Sequence, residues 1–301
     1  MSGQGPLKPR NGTVYTSYDP ANPPPHPGPQ WTRFVCISDT HSQTFPVPAG
    51  DVLLHSGDLS ILGRYEHLKV TMDWLGSLPH AVKIIIAGNH DLPLHKDWYE
   101  REFRRFHGLR KEDPTVVREL VDSAANRRRG IVYLQDHIHS FRTKEGGREW
   151  TVYGFPWQPY FGGWAFNYHA EEAQGLVSNI PEVDILLTHG PPHMVLDETL
   201  HKHHVGCPAL YAHLSKMSNP PLLHCFGHIH EDHGAVVHSW DCQDNSNTPS
   251  DEEEQSVRET IMVNAANQPL AVQSIMGGRR IPCGGPGFQP VIVDLLDSAL
   301  R

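Results

Sequence analysis

The chain reads as an α/β protein, and two patterns in its 301 residues say so. From about residue 31 onward, short runs dense in Val, Ile and Leu recur, each closing on Gly, Asp, His or Asn. Between several of them lie longer segments with helical spacing of apolar residues. Continuous apolar runs suit strands buried on both faces, and strands that alternate with helices make a helix-covered sheet.

Taken in order, RFVCIS, DVLLHSGD, VKIIIAGNH, GIVYLQD, VDILLTHG and LLHCFGH read as buried strands that end at polar loops. Tyr65 to Gly76 (YEHLKVTMDWLG) and Thr115 to Arg129 read as helices, with a weaker helix from Trp98 to Phe106. EWTVYGF, ETIMVNAAN and PVIVDLL follow as strands without intervening helices, which predicts a large, mixed sheet system. Residues 1–30, with NPPPHPGPQ, read as a poorly ordered arm before one domain over 31–301. Asp244 to Glu259 is polar and acidic, a solvated loop insertion. GGRRIPCGGPGF lacks the GK[ST] ending of a phosphate-binding loop and reads as an irregular connection.

Composition narrows the function. A net charge of −9 argues against a binder of nucleic-acid duplexes, whose affinity rests on neutralising phosphates. MSGQGPLKPR has no apolar signal core and no run is long enough to span a bilayer, so the expectation is a soluble, cytoplasmic protein without a membrane partner. Five scattered cysteines with no CxxC predict neither a disulfide framework nor a thiolate zinc site; Cys36 and Cys225 read as small core residues. The 22 histidines are the anomaly.

Many of them sit where apolar runs end. ISDTHS gives Asp39 and His41, HSGDLS gives Asp58, and AGNHD gives Asn89, His90 and Asp91. VDILLTHGPPH gives His189, and LLHCFGHIH gives His228 and His230. The carboxyl ends of strands face the ligand crevice in α/β sheets, so these five segments are expected to converge. Oxygen and imidazole donors without thiolate suit Mn, Fe or Zn. A donor set this large exceeds one tetrahedral site and suits two ions that share a bridging carboxylate.

DTH, GDL, GNHD, THG and GHIH, in this order, resemble the signature of the calcineurin-like metallophosphoesterases. VCISDTHS, YGFPWQPYFGGWAFN, THGPP and HVGC…LLHCFGHIHE resemble its metallophosphoesterase-domain branch, close to the class III cyclic-nucleotide phosphodiesterases. The resemblance runs from about Trp31 to Leu295. It implies two mixed β-sheets packed face to face with flanking helices, a four-layer sandwich. It also implies that Asp39, His41 and His230 bind one metal ion, that Asn89, His189 and His228 bind a second, and that Asp58 bridges them. His90 is then the residue that protonates the leaving oxygen or steadies the phosphoryl group. The implied reaction is hydrolysis of a small phosphoester, a nucleotide-type cyclic diester first, by a hydroxide that the two ions activate.

Two rival readings stand beside it. One is a phosphomonoesterase or protein Ser/Thr phosphatase, although GDLSILGR lacks the GDxxDRG form of the latter. The other is a metal-bound scaffold with little turnover. Trp157, Tyr160, Phe161, Trp164 and Phe166 read either as a wall over the metals that stacks on a base, with Trp157 and Trp164 contacting substrate, or as the hydrophobic anchor of a long loop. Asn167 and His169 lie within possible reach of the crevice. Asp91 reads as the cap of a helix start in preference to a residue that orients His90, and His224 as a packing residue. His201, His203 and His204 read as solvated surface, and Arg127 to Arg129 as cations complementing a helix dipole.

Overall fold

In the computed structural model, which describes residues 5–240, 258–270, 273, 275–276 and 279–299, the strands sort into two six-stranded sheets. The first is built from β1 (Gly12–Tyr15), β2 (Trp31–Ile37), β3 (Val52–His55), β4 (Val82–Ile85), β5 (Ile131–Tyr133) and the last strand of the chain. Helices α1 (Tyr65–Ser77), α2 (Lys96–His107), α3 (Pro114–Val121) and α4 (Ala124–Arg128) fall between its strands. The second sheet takes β6 (His137–Phe141), β7 (Trp150–Phe155), β10 (Ile185–Thr188), β11 (Leu223–Phe226), β12 (Gly234–Ser239) and β13 (Glu259–Asn264). Its helices are α5 (Ala170–Val177) and α6 (Pro208–Lys216). Two-residue strands β8 (Gln158–Pro159) and β9 (Asn167–Tyr168) pair with each other, as do β14 (Ile275–Met276) and β15 (Arg279–Arg280). Strand β16 (Val291–Leu296) closes the first sheet by inserting between β1 and β2, antiparallel to both.

Alternation within the buried runs explains the layers. In β2, Phe34 and Cys36 face the second sheet, while Val35 and Ile37 face α1 and its neighbours. The central layer joins Phe34, Leu54 and Ile84 to Trp150, Ile185, Leu223 and Val263, with Cys36 and Cys225 buried among them. Outside the first sheet pack Leu68, Met72 and Leu75 of α1, Tyr99 of α2 and Val117 of α3. Outside the second pack Val177 of α5 and Leu210 and Leu214 of α6. The result is the expected four-layer sandwich of two mixed sheets. Each fully buried Leu, Ile or Val contributes about 1.5–3 kcal/mol, so the three apolar layers are the main stabilising term.

Several elements differ from the sequence reading. Residues 12–15, within the expected arm, form an edge strand, because β16 offers an open edge and Val14 buries its side chain there. Tyr18 donates to Pro290 O (2.8 Å), and Arg33 donates to Pro24 O and Pro25 O (2.6 and 2.9 Å), which ties the proline run down. The Thr115–Arg129 helix is two helices. Ser123 caps the second through Asn126 N, and the Asn126 amide takes the end carbonyls of the first. The chain after β7 carries α5 and α6 as crossovers between parallel strands, which the reading without intervening helices omitted. The Gly-rich stretch near 280 holds β15. Of the acidic insertion, residues 244–257 lie outside the described residues, and Glu259 already opens β13.

Parallel register positions the site. Ile37, His55 and Ile85 lie side by side at the ends of β2, β3 and β4, so the loops carrying DTH, GDL and GNHD leave one edge together. Leu187 pairs with Cys225, so the loops after β10 and β11 leave the facing edge of the second sheet. Ser56 joins the two edges, donating to Cys225 O (2.9 Å) and accepting from His189 Nδ1 (2.9 Å).

Candidate metal centre

Three of the five loops turn sharply, and the turning residues are the chemical ones. Asp39 (φ 53°), His41 (φ 45°), Asp58 (φ 53°) and His228 (φ 68°) adopt left-handed backbone conformations. Each costs about 1–3 kcal/mol in a non-glycine residue and persists only where the surroundings over-determine it, as at functional sites. Hydrogen bonds from Asp39 N to Gly57 O and from His41 N to Asp58 O, both 3.0 Å, hold the first two loops in that form. Two glycines make room. At Gly57 (φ 102°) a Cβ would lie 2.6 Å from both Ala87 O and His189 Nδ1. At Gly227 it would run into the Asp39 carboxylate and Ser38 Oγ.

The side chains then converge. His230 Nε2 lies 3.2 Å from Asp39 Oδ1, His41 Nε2 lies 3.7 Å from Asp58 Oδ2, and His189 Nε2 lies 3.5 Å from Asp58 Oδ1. Asn89 Oδ1 lies 2.8 Å from His189 Nε2. Three sets of donor atoms fall within 4.8 Å of one another: Asp39 with His41 and His230, Asp39 with Asp58 and His189, and His41 with Asp58 and His90. His228 lies outside these sets. Its backbone N–H donates to Asp39 Oδ2 (3.0 Å), while its ring packs on His189 (centroids 5.0 Å) and Phe161 (5.6 Å) and lines the same cleft.

Electrostatics fit a cation. Asp39, Asp58 and Asp91 are all buried, and among the described residues none is paired with Lys or Arg. Burial and the nearby Asp39 and Asp91 charges push the Asp58 carboxyl well above the usual range. Asp58 is thus buried without a full counter-charge, which is costly, and a divalent ion would supply it. Burial pushes the imidazoles down, His41 well below its ordinary value, His189 lower, and His228 to about 3. They are therefore neutral, the form that ligates metal. His189 shows the fit most directly. Its Nδ1–H donates to Ser56 O, which leaves the Nε2 lone pair aimed at two further oxygen acceptors, Asn89 Oδ1 and Asp58 Oδ1. Three acceptors facing one point are repulsive without a cation among them.

His90 is held from three sides. Its backbone N–H donates to Asp58 Oδ1 (2.8 Å), Nδ1 is 2.6 Å from Ile61 O, and the ring stacks on Trp164 at 4.2 Å. Burial pushes its imidazole to about 4, so Nδ1 carries the proton and Nε2 is the free nitrogen. Asp91 does not cap the 3-10 turn that follows it. Its carboxylate accepts from Leu59 N (3.0 Å), Ser60 N (2.9 Å), Ser60 Oγ (2.7 Å) and Gly88 N (3.0 Å), and so fastens the GDLS loop to the GNHD loop.

The aromatic stretch divides. Trp157 turns away from the cleft, donating Nε1 to Asp136 (2.9 Å) and packing on His95 and Phe166. Trp164 lies between His90 and Phe106. The cleft wall itself is Tyr160 and Phe161, completed by Val205, Ile229 and Leu270 around about 480 Å³. Asn167 donates to Phe161 O (2.9 Å), and His169 stacks on Tyr160 (4.8 Å), so both brace the wall rather than face the cleft. His204 pairs with Asp197 (2.7 Å), His201 and His203 lie beside each other on the surface, and His224 is buried against Thr188 Oγ1 (2.8 Å). Val205 and Leu270 carry no local signal in sequence; only the fold brings them here.

The calcineurin-like phosphoesterase pattern matches residues 32–232. The chain belongs to this family. Metallophosphoesterase domain-containing protein 1 of Homo sapiens is 42% identical over 230 residues, 72% of this chain and 67% of that protein. The UPF0046 protein K07C11.7 of Caenorhabditis elegans is 32% identical over 71% of this chain and 69% of its own length. A probable rhamnogalacturonate lyase C of Emericella nidulans is 36% identical over 70% of this chain, and the match spans 18% of that relative. Calcineurin-like phosphoesterases are metal-dependent hydrolases of phosphoesters, and the convergent Asp, His and Asn donors are the groups that can hold those metals. No described helix is long and apolar enough to cross a membrane.

Proposed function

We propose that the chain is a phosphodiesterase acting on small nucleotide-type diesters, cyclic ones first, with two ions of Mn, Fe or Zn. In this reading Asp39, His41 and His230 hold one ion, Asn89, His189 and His228 the other, and Asp58 spans both. Bound divalent ions activate water near neutral pH and offset charge on the phosphoryl oxygens. The protein does the rest. Asp58 is kept in place by His90 N–H, and His90 is kept in place by Ile61 O and Trp164. His90 Nε2, its one free nitrogen, would take up the proton released by the attacking water and pass it to the leaving oxygen. Tyr160 and Phe161, 56% and 60% exposed at the cleft, are the faces on which a base lies flat. The catalytic unit spans 31–301, and β1 from the preceding residues joins its first sheet. It works in the cytoplasm, where its free buried cysteines stay reduced.

The observation that carries this reading is a donor set for two ions opening into a mostly apolar cleft. Mn-loaded protein is expected to hydrolyse bis(p-nitrophenyl) phosphate, and His90→Ala to lose about 100-fold or more in kcat, the usual size of a proton-transfer contribution. Wild-type protein that does not turn over this diester, with His90→Ala indistinguishable from it, would make the chain a metal-bound scaffold. A panel of cyclic nucleotides, generic diesters and monoesters then ranks the substrates, and a preference for monoesters sinks the diesterase assignment.

A further inference from the structure

The charge lining the cleft is one-sided. Among the described residues that line it there is no Lys or Arg. Two arginines on neighbouring segments are engaged elsewhere. Arg64, closing GDLSILGR, donates to Arg110 O (2.7 Å) and pairs with Glu112 (3.0 Å). Arg105 spends its guanidinium on Gly162 O and Gly163 O (2.8 and 3.1 Å), behind the aromatic wall. Among the described residues that line the cleft none brings positive charge, so ions held by the Asp and His donors would supply it.

Against this stands one carboxylate beyond Asp58 of the candidate metal centre. Glu231 lines the cleft on the short turn His230–Asp232, half-buried, and its carboxylate has no hydrogen bond or ion pair among the described residues. Its neighbours are neutralised or tied: Asp232 accepts from Glu198 N (2.9 Å), and Glu198 pairs with Lys202. A free carboxylate in a cleft with largely apolar walls repels a second negative charge on the substrate more than it would in bulk water.

Building on the diesterase reading, we infer that Glu231 is a specificity-determining residue, a charge filter that admits singly charged diesters with flat, uncharged substituents and disfavours dianionic monoesters and polyphosphates. A diester carries one negative charge. A monoester carries close to two above its second pKa of about 6. One extra charge at a half-screened distance from Glu231 corresponds to about a tenfold change in kcat/KM. Tyr160 and Phe161 supply the apolar half of the selection, since they stack on an uncharged ring and offer a charged tail no partner.

The test compares bis(p-nitrophenyl) phosphate with p-nitrophenyl phosphate, which share a leaving group, at pH 8 with Mn-loaded wild type, Glu231→Gln and Glu231→Ala. Both variants are expected to raise kcat/KM for the monoester about tenfold more than for the diester, and to tighten inhibition by inorganic phosphate. High salt should narrow the wild-type gap between the two esters. Damage to the neighbouring metal ligand would lower both rates together, so a selective gain cannot arise from it. A monoester-to-diester ratio that stays within twofold of wild type in both variants overturns the filter and leaves the diesterase intact. Wild-type protein inactive on the diester overturns the diesterase reading and the filter with it.

Discussion

Replacing Asp91 by Ala tests whether the two catalytic loops are held by one buried carboxylate. Asp91 is fully buried and accepts from three backbone N–H groups and one hydroxyl at 2.7–3.0 Å. Two donors follow Asp58 directly and the third precedes Asn89, so no local segment can re-satisfy them. A buried donor left without a partner costs about 1–3 kcal/mol, and three such N–H groups, partly rescued by water entering the vacated space, come to about 3–5 kcal/mol. Burial outweighs the donors and lifts the Asp91 carboxyl to about 6, so the measurement belongs at pH 8, where the group is ionised. Urea unfolding of metal-free wild type and Asp91→Ala reads the difference as a shift in midpoint. Asp91→Asn keeps an oxygen for one pair of donors and turns an NH2 toward the other, and should fall between the two. A loss below about 1 kcal/mol for Asp91→Ala would refute the reasoning and return Asp91 to the role of a replaceable cap.

Two further outcomes follow from the geometry. Burial holds His80, whose Nε2–H faces Pro48 O at 3.1 Å, at about 4 instead of its ordinary 6.5. Between these values the unfolded chain binds the extra proton, so stability falls as pH falls from 6.5 toward 4, by about 2 kcal/mol at pH 5 from this group. Unfolding curves of metal-free His80→Gln at pH 7.5 and 5 should show a correspondingly shallower loss; an unchanged slope refutes it. Gly227→Ala places a methyl on the Asp39 carboxylate and Ser38 Oγ. An overpacking cost of about 1–3 kcal/mol is expected together with weaker Mn binding by calorimetry, and native affinity would contradict the close approach.

The site was legible because parallel strands deliver their carboxyl ends to one edge, so strand-end polar residues could be gathered before any coordinates. Long apolar runs marked most central strands for the same reason. The helices α5 and α6 were not legible. Each rests on few buried residues, Ala173 and Val177 in one and Leu210 and Leu214 in the other, too few to set a period. Edge strands β6 (HIHSF) and β12 (GAVVHS) are mostly half-exposed or exposed, and they are strands because β7 and β13 offer them an edge. Asp91 looked like a cap because the signal for a cap is local, whereas its donors lie some thirty residues upstream. Sequence leaves the aromatic cluster open between a wall and a loop anchor, and the structure divides it: Trp157 and Trp164 make supporting contacts, while Tyr160 and Phe161 stand at the opening.

The insertion of β16 between β1 and β2 also governs the order of assembly. Strand β2 carries Asp39 and His41 at its end, yet one of its two hydrogen-bonding edges is satisfied only when Val291–Leu296 arrives. While a nascent chain is still short of β16, that edge is an open template rich in Val, Ile and Phe, the kind of surface that recruits a neighbour's strand. Contacts this distant in sequence form slowly. A cell that makes this protein quickly therefore faces an aggregation hazard until residues 291–296 are translated, after the candidate metal-binding loops are all synthesised and before the strand that seals them in place.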